Sequence, residues 1–121
     1  MIHDPELLLL DEPFGALDQF TREELWDIMQ NLWMERRPTV LLVTHDLRES
    51  AYLANRICVM SARPGRILET RDVSFGRPRT LESSYSPEFA TLVQQLRMRI
   101  ADARRESDAA PSTPLAQKVA A

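Results

Sequence analysis

Two short groups of residues in this 121-residue chain combine side-chain types that metal-binding and water-activating sites use. Asp11 and Glu12 are adjacent carboxylates that follow the apolar run Leu7 to Leu10, and His45 follows the apolar, β-branched run Thr39 to Thr44. A carboxylate is a hard oxygen ligand of the kind that Mg²⁺ prefers, and a second carboxylate can orient or deprotonate a water molecule. An imidazole can hydrogen-bond a phosphate oxygen or a polarised water.

The positions of these groups depend on two predicted strands. Unbroken apolar runs such as those before Asp11 and His45 are typical of strands buried on both faces of a parallel sheet. Ligands of such sheets bind beyond the carboxyl ends of the strands, where both groups fall. Successive side chains of a strand point to opposite faces, so the two acids need a bend at Glu12-Pro13 to approach one site.

The helices are predicted from apolar periodicity and capping residues. The first ends at Arg36-Arg37-Pro38 and begins at a cap supplied by Asp18 or Thr21, with the apolar stripe Leu25, Ile28, Met29, Leu32 and Trp33. Asp46 is expected to cap a short helix through about Ala54. Ser86 is expected to cap a last helix that begins at Pro87 and has the apolar stripe Phe89, Leu92, Val93, Leu96, Ile100 and Ala103.

Between these helices the sequence predicts a hairpin. Ile57 to Met60 indicates a third strand, which the turn Arg63 to Arg66 connects to a return strand that begins at Ile67. Asp72 to Phe75 is expected to form one more short strand. The fold class is therefore α/β, with a parallel sheet, flanking helices, a C-terminal hairpin and a final helix.

The net charge and the counts of cysteine, glycine and lysine argue against several classes of function. The net charge of −3 gives no bulk electrostatic case for a nucleic acid or an anionic membrane as a partner. The one cysteine, Cys58, excludes an internal disulfide and is expected to be an inert buried thiol. Neither GxxxxGK[ST] nor GxGxxG occurs in the sequence, which has three glycines and a single lysine, Lys118.

Each candidate residue also has a structural explanation. Asp11 and Glu12 can cap or pair with basic groups at the edge of the sheet, and His45 can pack at a strand–helix junction. Asp18 can serve only as a helix N-cap. A doublet of acids is a short motif with a high rate of chance occurrence, so these explanations stay open on the residues alone.

Two stretches taken together resemble the ATP-binding subunit of ABC transporters. They are Leu7 to Asp18 (LLLLDEPFGALD) and Leu41 to Asp46 (LLVTHD), within a match over about residues 1–67. The resemblance implies a P-loop-NTPase-like sheet and the cofactors ATP and Mg²⁺. The Walker A loop, Q-loop and signature motif that precede the Walker B strand in this family do not occur in the sequence, so the chain resembles the C-terminal half of such a subunit.

The resemblance also implies a role for each candidate residue. Asp11 is the Walker B acid on the Mg²⁺ side, acting directly or through water, and Glu12 is the catalytic glutamate that polarises the attacking water. Asp18 closes the D-loop, which crosses the dimer interface in the family. His45 is the switch histidine that contacts the γ-phosphate.

Residues 49–67 are similar to importers for nitrate, sulfonate and taurine. This similarity implies a transmembrane permease and a second ATPase subunit as partners, a substrate-binding protein as an indirect one, and a cytoplasmic position on the inner face of the membrane. Residues 1–75 are expected to be the C-terminal part of the ATPase domain, 76–105 a connector and C-terminal helix, and 106–121 a disordered tail.

Two other functions compete with this interpretation. The first is a non-catalytic remnant or interaction module that docks on another chain. The second is a Mg²⁺-dependent phosphohydrolase that uses Asp11 and Glu12 alone, although no basic phosphate clamp lies near these acids in the sequence. Without a phosphate-binding loop, buried strands would also lose neighbours, and an open apolar edge favours aggregation.

Overall fold

The computed structural model describes residues 7–61, 65–106 and 116–120. These parts of the chain contain five strands and three α-helices. In chain order they are β1 (Leu7–Asp11), α1 (Gln19–Arg36), β2 (Thr39–Thr44), α2 (Leu47–Leu53), β3 (Arg56–Met60), β4 (Ile67–Asp72), α3 (Pro87–Glu106) and β5 (Ala116–Ala120). The strands form one sheet in the order β1-β2-β5-β3-β4. β1 and β2 are parallel, and β3 and β4 form an antiparallel hairpin. The predicted α/β class is confirmed.

The helices begin at the predicted caps. The Asp18 carboxylate accepts the Thr21 N–H at 2.8 Å, so Asp18 is the N-cap of α1 and the alternative, Thr21, is wrong. The Asp46 carboxylate accepts the Glu49 N–H at 3.1 Å and caps α2. The Ser86 hydroxyl accepts the Phe89 N–H at 3.2 Å at the start of α3. Each cap satisfies a backbone donor that a helix start leaves without an intrahelical partner.

One apolar core joins the sheet to the helices. The side chains of Tyr52, Ile57, Val59 and Leu96 are fully buried in it. The predicted stripe of α3 is confirmed, because its residues are buried or pack against the core, namely Phe89, Leu92, Val93, Leu96, Ile100 and Ala103. Cys58, predicted to be buried, is half-buried.

The predicted apolar stripe of α1 is wrong in part. Ile28 and Leu32 are 52% and 57% exposed, whereas the helix buries Glu23, Trp26 and Gln30. The buried polar atoms of these three residues are hydrogen-bonded to other elements of the fold. Since a buried polar group is tolerated when it is hydrogen-bonded, distant partners determine which face of α1 points inward.

The sequence predicts that strand β1 is buried on both faces, but the strand is largely exposed. Leu7, Leu8 and Leu9 are 62%, 41% and 66% exposed. β1 is an edge strand that pairs only with β2 among the described strands, so its outer backbone edge has no partner there. An apolar sequence shows a preference for burial, but burial also needs a neighbouring element.

Two further expectations differ from the structure. The strand predicted at Asp72 to Phe75 is wrong, because β4 ends at Asp72. The tail is expected to be disordered, yet Ala116–Ala120 forms β5, which lies antiparallel to both β2 and β3. These two strands would otherwise each leave a backbone edge unpaired, and β5 supplies the hydrogen bonds for both. The described residues do not include 1–6, 62–64, 107–115 and 121. The first half of the predicted turn, Arg63-Pro64, therefore lies outside them.

Replacing Leu9 with Lys is expected to reduce self-association of the 121-residue chain. Contact between two exposed leucine edges buries apolar surface worth roughly 1.5–3 kcal/mol for each side chain, so the self-association constant should fall about tenfold or more. Light scattering coupled to gel filtration over a concentration series measures this. Met98→Lys is the matched control, since Met98 is 56% exposed on α3. Equal association of both variants would show that β1 is not the associating edge.

Candidate functional site

The carboxyl ends of β1 and β2 bring Glu12 and His45 into direct contact. Oε2 of Glu12 hydrogen-bonds Nδ1 of His45, in a pair whose side chains are 37% and 57% exposed, respectively. Two residues that lie 33 positions apart in the sequence therefore share one site, which remains open to a dissolved ligand.

The chain bends sharply at Glu12. The Glu12 N–H donates to the Val43 carbonyl at 2.7 Å, which extends the β1–β2 pairing by one residue. Glu12 then adopts φ 49°, a left-handed conformation that is uncommon for a residue other than glycine and that concentrates at functional sites. The bend that the sequence analysis requires at Glu12-Pro13 is therefore present, and it turns the chain away from the strand direction.

A cavity of about 360 Å³ opens beside this pair. Its lining comes from the two loops that follow β1 and β2 and from the starts of α1 and α2, and it consists of Glu12, Gly15, Arg22, Thr44, His45, Asp46 and Glu49. Gly15 lies beside the glutamate, where a Cβ would make an ordinary van der Waals contact with Oε1 of Glu12 at 3.8 Å. The cavity therefore has three acids, one imidazole and one guanidinium on its walls.

Arg22 ties the two loops together. Its Nη1 donates to the Asp46 carboxylate at 2.9 Å, and its Nη2 donates to the Leu17 carbonyl at 3.0 Å. The loop after β1 is thereby held against the loop after β2. The sequence analysis missed Arg22, because its partners lie 24 and 5 residues away and no spacing within α1 marks it.

Glu49 is the buried acid of the cavity. It is 2% exposed, and its Oε1 accepts the indole N–H of Trp26 at 3.1 Å. Burial raises the pKa of Glu49, and hydrogen bonds from Thr44 and Trp26 to the carboxylate oppose that rise. The sequence analysis missed Glu49 as well, since a Glu within a short helix is normally solvent-exposed.

Replacing Glu49 with Gln is expected to change the pH dependence of stability. Because the folded state raises the Glu49 pKa above its ordinary value of 4.5, the folded protein binds more protons than the unfolded chain just above that pH. The wild-type free energy of unfolding therefore loses a contribution as the pH rises through this window. Gln does not titrate, so the variant gains stability relative to wild type over the same range.

Urea unfolding at a series of pH values between 4 and 8 measures the Glu49→Gln effect. The exposed Glu24→Gln is the control, and its difference from wild type should stay nearly constant with pH. A Glu49→Gln difference that is equally constant would contradict the raised pKa.

The two remaining candidate residues lie outside the cavity lining. Asp11 is the exposed last residue of β1 and pairs in register with Val43. Asp18 is the exposed N-cap of α1, and the hydrogen bond from the Thr21 N–H lowers its pKa. The structure thus brings Glu12 and His45 together and leaves the two aspartates outside the cavity that this pair lines.

The carboxylates at the carboxyl ends of β1 and β2 fit a Mg²⁺ ion that takes most of its ligands from water and phosphate oxygens. The described residues contain no group of three His, Cys, Asp or Glu side chains that could hold a metal. Mg²⁺ keeps several waters and usually binds one or two carboxylates together with substrate phosphates, so the exposed Asp11 carboxylate suits it. For the phosphates, the cavity lining offers the His45 imidazole and the Arg22 guanidinium, and the guanidinium already pairs with Asp46.

Comparison with known proteins identifies the family. No protein-family model matches the chain. The aliphatic sulfonates import ATP-binding protein SsuB of Bacillus licheniformis is 51% identical over 98 residues, which cover 79% of this chain and 36% of that protein. SsuB of Bacillus anthracis is 44% identical over 95 residues, 78% of the chain and 38% of that protein. The chain matches part of an ABC importer ATP-binding subunit.

A third relative comes from another genus. An ATP-binding protein of Brucella melitensis is 50% identical over 88 residues, which cover 73% of this chain and 37% of that protein. The chain thus spans a little over a third of the length of the curated relatives that it matches. The resemblance to ABC ATP-binding subunits of the sulfonate-importer group is confirmed.

Every helix within residues 7–61, 65–106 and 116–120 is too short or too polar to span a bilayer.

Proposed function

We propose that this chain supplies the water-activating side of the ATP site in the ATPase subunit of an ABC importer. The observation that carries the proposal is the contact between Glu12 and His45 at the carboxyl ends of two parallel strands. The match to ATP-binding proteins of sulfonate import supports it. The solute of such an importer would be a small anion such as a sulfonate, nitrate or taurine.

In the proposed mechanism Glu12 orients the attacking water and accepts its proton. His45 keeps its Nδ1 toward Glu12, which leaves Nε2 free to face a phosphate oxygen. A protonated imidazole donates from both nitrogens, so it can hold the glutamate and stabilise developing phosphoryl charge at once.

Asp11 would hold Mg²⁺, directly or through water. In a bound Mg²⁺-ATP complex, ATP would supply the phosphoryl group and Mg²⁺ would neutralise charge on its oxygens.

The assembly would follow the family pattern. Asp18, at the start of α1, would lie at the interface with a second ATPase subunit. A transmembrane permease would be the direct membrane partner, and a substrate-binding protein would act through it. The chain would then lie on the cytoplasmic face of the membrane as a peripheral subunit.

The 121-residue chain by itself is expected to hydrolyse no ATP above background. Its sequence has no GxxxxGK[ST] loop, whose backbone N–H groups and Lys would provide most of the binding to the β- and γ-phosphates. The same chain fused behind the preceding segment of an SsuB relative should hydrolyse ATP. Phosphate release measures both. Turnover by the pure chain that disappears in Glu12→Gln would overturn the expectation, and an inactive, folded fusion would count against the proposal.

The exposed leucines of β1 favour a second candidate, a module that docks on another chain. Under this alternative, adding the chain to a full-length relative would change the relative's ATPase rate in proportion to dose. Leu9→Lys should abolish that change if β1 is the docking edge. An unchanged rate at every dose would exclude this function.

A further inference from the structure

We infer that a second cavity beside His45 binds inorganic phosphate. This cavity measures about 450 Å³ and adjoins the cavity that the Glu12–His45 pair lines, because His45, Asp46 and Arg22 belong to the walls of both. A water molecule takes up roughly 30 Å³ in the liquid, so there is room for an anion together with several of its waters. The source of the phosphate rests on the proposed function, whereas the binding itself is a property of the folded chain.

The charge of the cavity lining favours an anion. Arg22, Arg48 and Arg97 bring three guanidinium groups to the lining, and Asp46 brings a single carboxylate. The whole chain has a net charge of −3, so this excess of positive charge is local to the cavity. A planar guanidinium offers paired N–H donors that match the oxygens of a phosphate, which makes arginine well suited to bind one.

Two of the three arginines are held in place before any ligand binds. Arg22 is fixed by its two hydrogen bonds to the loops after β1 and β2. Arg48 donates to the Glu23 carboxylate at 3.0 Å and to the Ser84 hydroxyl at 3.1 Å. Each guanidinium uses two of its five donors in these bonds, so further donors remain for an anion. Because both side chains are already ordered, binding costs them little conformational entropy.

Arg97 supplies the unbalanced positive charge of the cavity. Asp46 and Glu23 are the ion-pair partners of Arg22 and Arg48, respectively. Arg97 is exposed on α3 and has no hydrogen-bond or ion-pair partner within the part of the chain that the structure describes. Its guanidinium is therefore available to an anion that the two ordered arginines hold from the other walls.

His45 connects this cavity to the proposed reaction. Hydrolysis of ATP would release ADP and inorganic phosphate, and in the proposed mechanism that phosphate forms against the His45 imidazole. The product would then reach the second cavity directly, because His45 lines both cavities. A nucleotide base finds no free ring to stack on there, since Trp26 is 1% exposed and the Arg48 guanidinium lies 5.6 Å from its ring centroid. These features favour free phosphate over a nucleotide.

Titration of the 121-residue chain with sodium phosphate tests this inference. The sequence has two histidines, so His3→Ala leaves His45 as the single imidazole, whose carbon-bound protons report on the cavity by NMR. At constant pH and constant ionic strength, phosphate should shift these signals until the site is saturated. The chloride that it replaces should not, since non-specific screening depends on ionic strength alone.

Arg97→Gln determines which cavity holds the phosphate. Arg97 belongs to the lining of the second cavity and not to that of the first, so its loss should raise the Kd for phosphate about tenfold only if the second cavity is the site. Arg104→Gln is the matched control, because Arg104 is an exposed arginine of the same helix outside both linings. It should change the Kd by less than about twofold. Circular dichroism checks that both variants are folded.

Methanesulfonate and ADP are the comparison ligands. Methanesulfonate carries a single charge, and ADP carries a base and a ribose that the cavity does not stack, so both should bind more weakly than phosphate. If either bound as tightly as phosphate and lost affinity in Arg97→Gln, the cavity would be a sulfonate or nucleotide site and the assignment to phosphate would be wrong.

Absence of saturable phosphate binding would overturn the inference, and so would a Kd that Arg97→Gln and Arg104→Gln change equally. Because no ATP is present, the titration is independent of ATP hydrolysis. An inactive fusion with Arg97-dependent phosphate binding by the chain would refute the proposed function and leave the phosphate site standing. An active fusion without phosphate binding by the chain would do the reverse.

Discussion

Glu12→Gln is expected to slow ATP hydrolysis by roughly 10²- to 10⁴-fold in a domain that also carries a phosphate-binding loop, and to leave ATP bound. A glutamine has the shape of glutamate and keeps a hydrogen-bonding oxygen, but it accepts no proton from water at neutral pH. The substitution therefore removes an interaction made in the transition state, so kcat should fall while nucleotide affinity is preserved.

The local structure supports a clean interpretation of this variant. The Glu12 backbone is held by its N–H bond to the Val43 carbonyl, which the substitution does not touch. The bend at φ 49° is a backbone feature that Gln can adopt as well as Glu. An inactive Glu12→Gln protein should consequently have the fold of wild type, and circular dichroism should confirm this.

Phosphate release and retention of radiolabelled ATP are the measurements for Glu12→Gln. Glu24→Gln serves as the matched control, because Glu24 is an exposed acid of α1 that lies outside the cavity lining. His45→Ala should also disable hydrolysis, since the imidazole is the direct partner of Glu12. Normal turnover in both site variants would show that these roles are assigned to the wrong residues.

The position of this site could be predicted because its determinants are local. Each candidate follows an apolar run, and such runs are typical of strands in a parallel sheet. Once β1 and β2 are neighbours, their carboxyl ends meet, and Glu12 and His45 follow at the same edge. Pro13 and Gly15 predict that the chain bends after β1. Neither residue specifies the left-handed φ of Glu12, which brings the two side chains together.

The supporting residues could not be predicted, because their contacts are not local. The bonds from Trp26 to Glu49 and from Gln30 to Arg79 join residues 23 and 49 positions apart. A helical periodicity measures only spacing within α1, so it favoured Ile28 and Leu32 as buried residues. The fold keeps Leu25 and Met29 against the core but also buries Glu23 and Gln30, which have hydrogen-bond partners on other elements.

Arg79→Met is expected to lower the free energy of unfolding by about 3 kcal/mol or more, the sum over several buried acceptors at roughly 1–3 kcal/mol each. Arg79 is 3% exposed and donates to four backbone carbonyls, those of Ala51, Tyr52, Ala54 and Phe75. Three of these carbonyls lie at the C-terminal end of α2, where a helix leaves acceptors without intrahelical partners. Methionine can fill much of the space but donates no hydrogen bond.

Urea unfolding at pH 7, followed by tryptophan fluorescence, measures the Arg79→Met effect. Burial lowers the pKa of Arg79 to about 10, so the guanidinium is still protonated at pH 7 and all its donors are available. Arg56→Met is the control, because the Arg56 side chain is 60% exposed and pairs with Asp72 at the surface. That control should change stability by less than about 1 kcal/mol.

Arg79→Lys separates the charge of Arg79 from its geometry. Lysine keeps the positive charge near the C-terminal end of α2, where a cation is favourable, but its ammonium has three donors at one point instead of a planar fork. It cannot reach the α2 carbonyls and the Phe75 carbonyl together, so Arg79→Lys should lose a large part of the stability that Arg79→Met loses. Wild-type stability in Arg79→Lys would show that the charge alone caps α2, and wild-type stability in Arg79→Met would show that the four hydrogen bonds contribute nothing net.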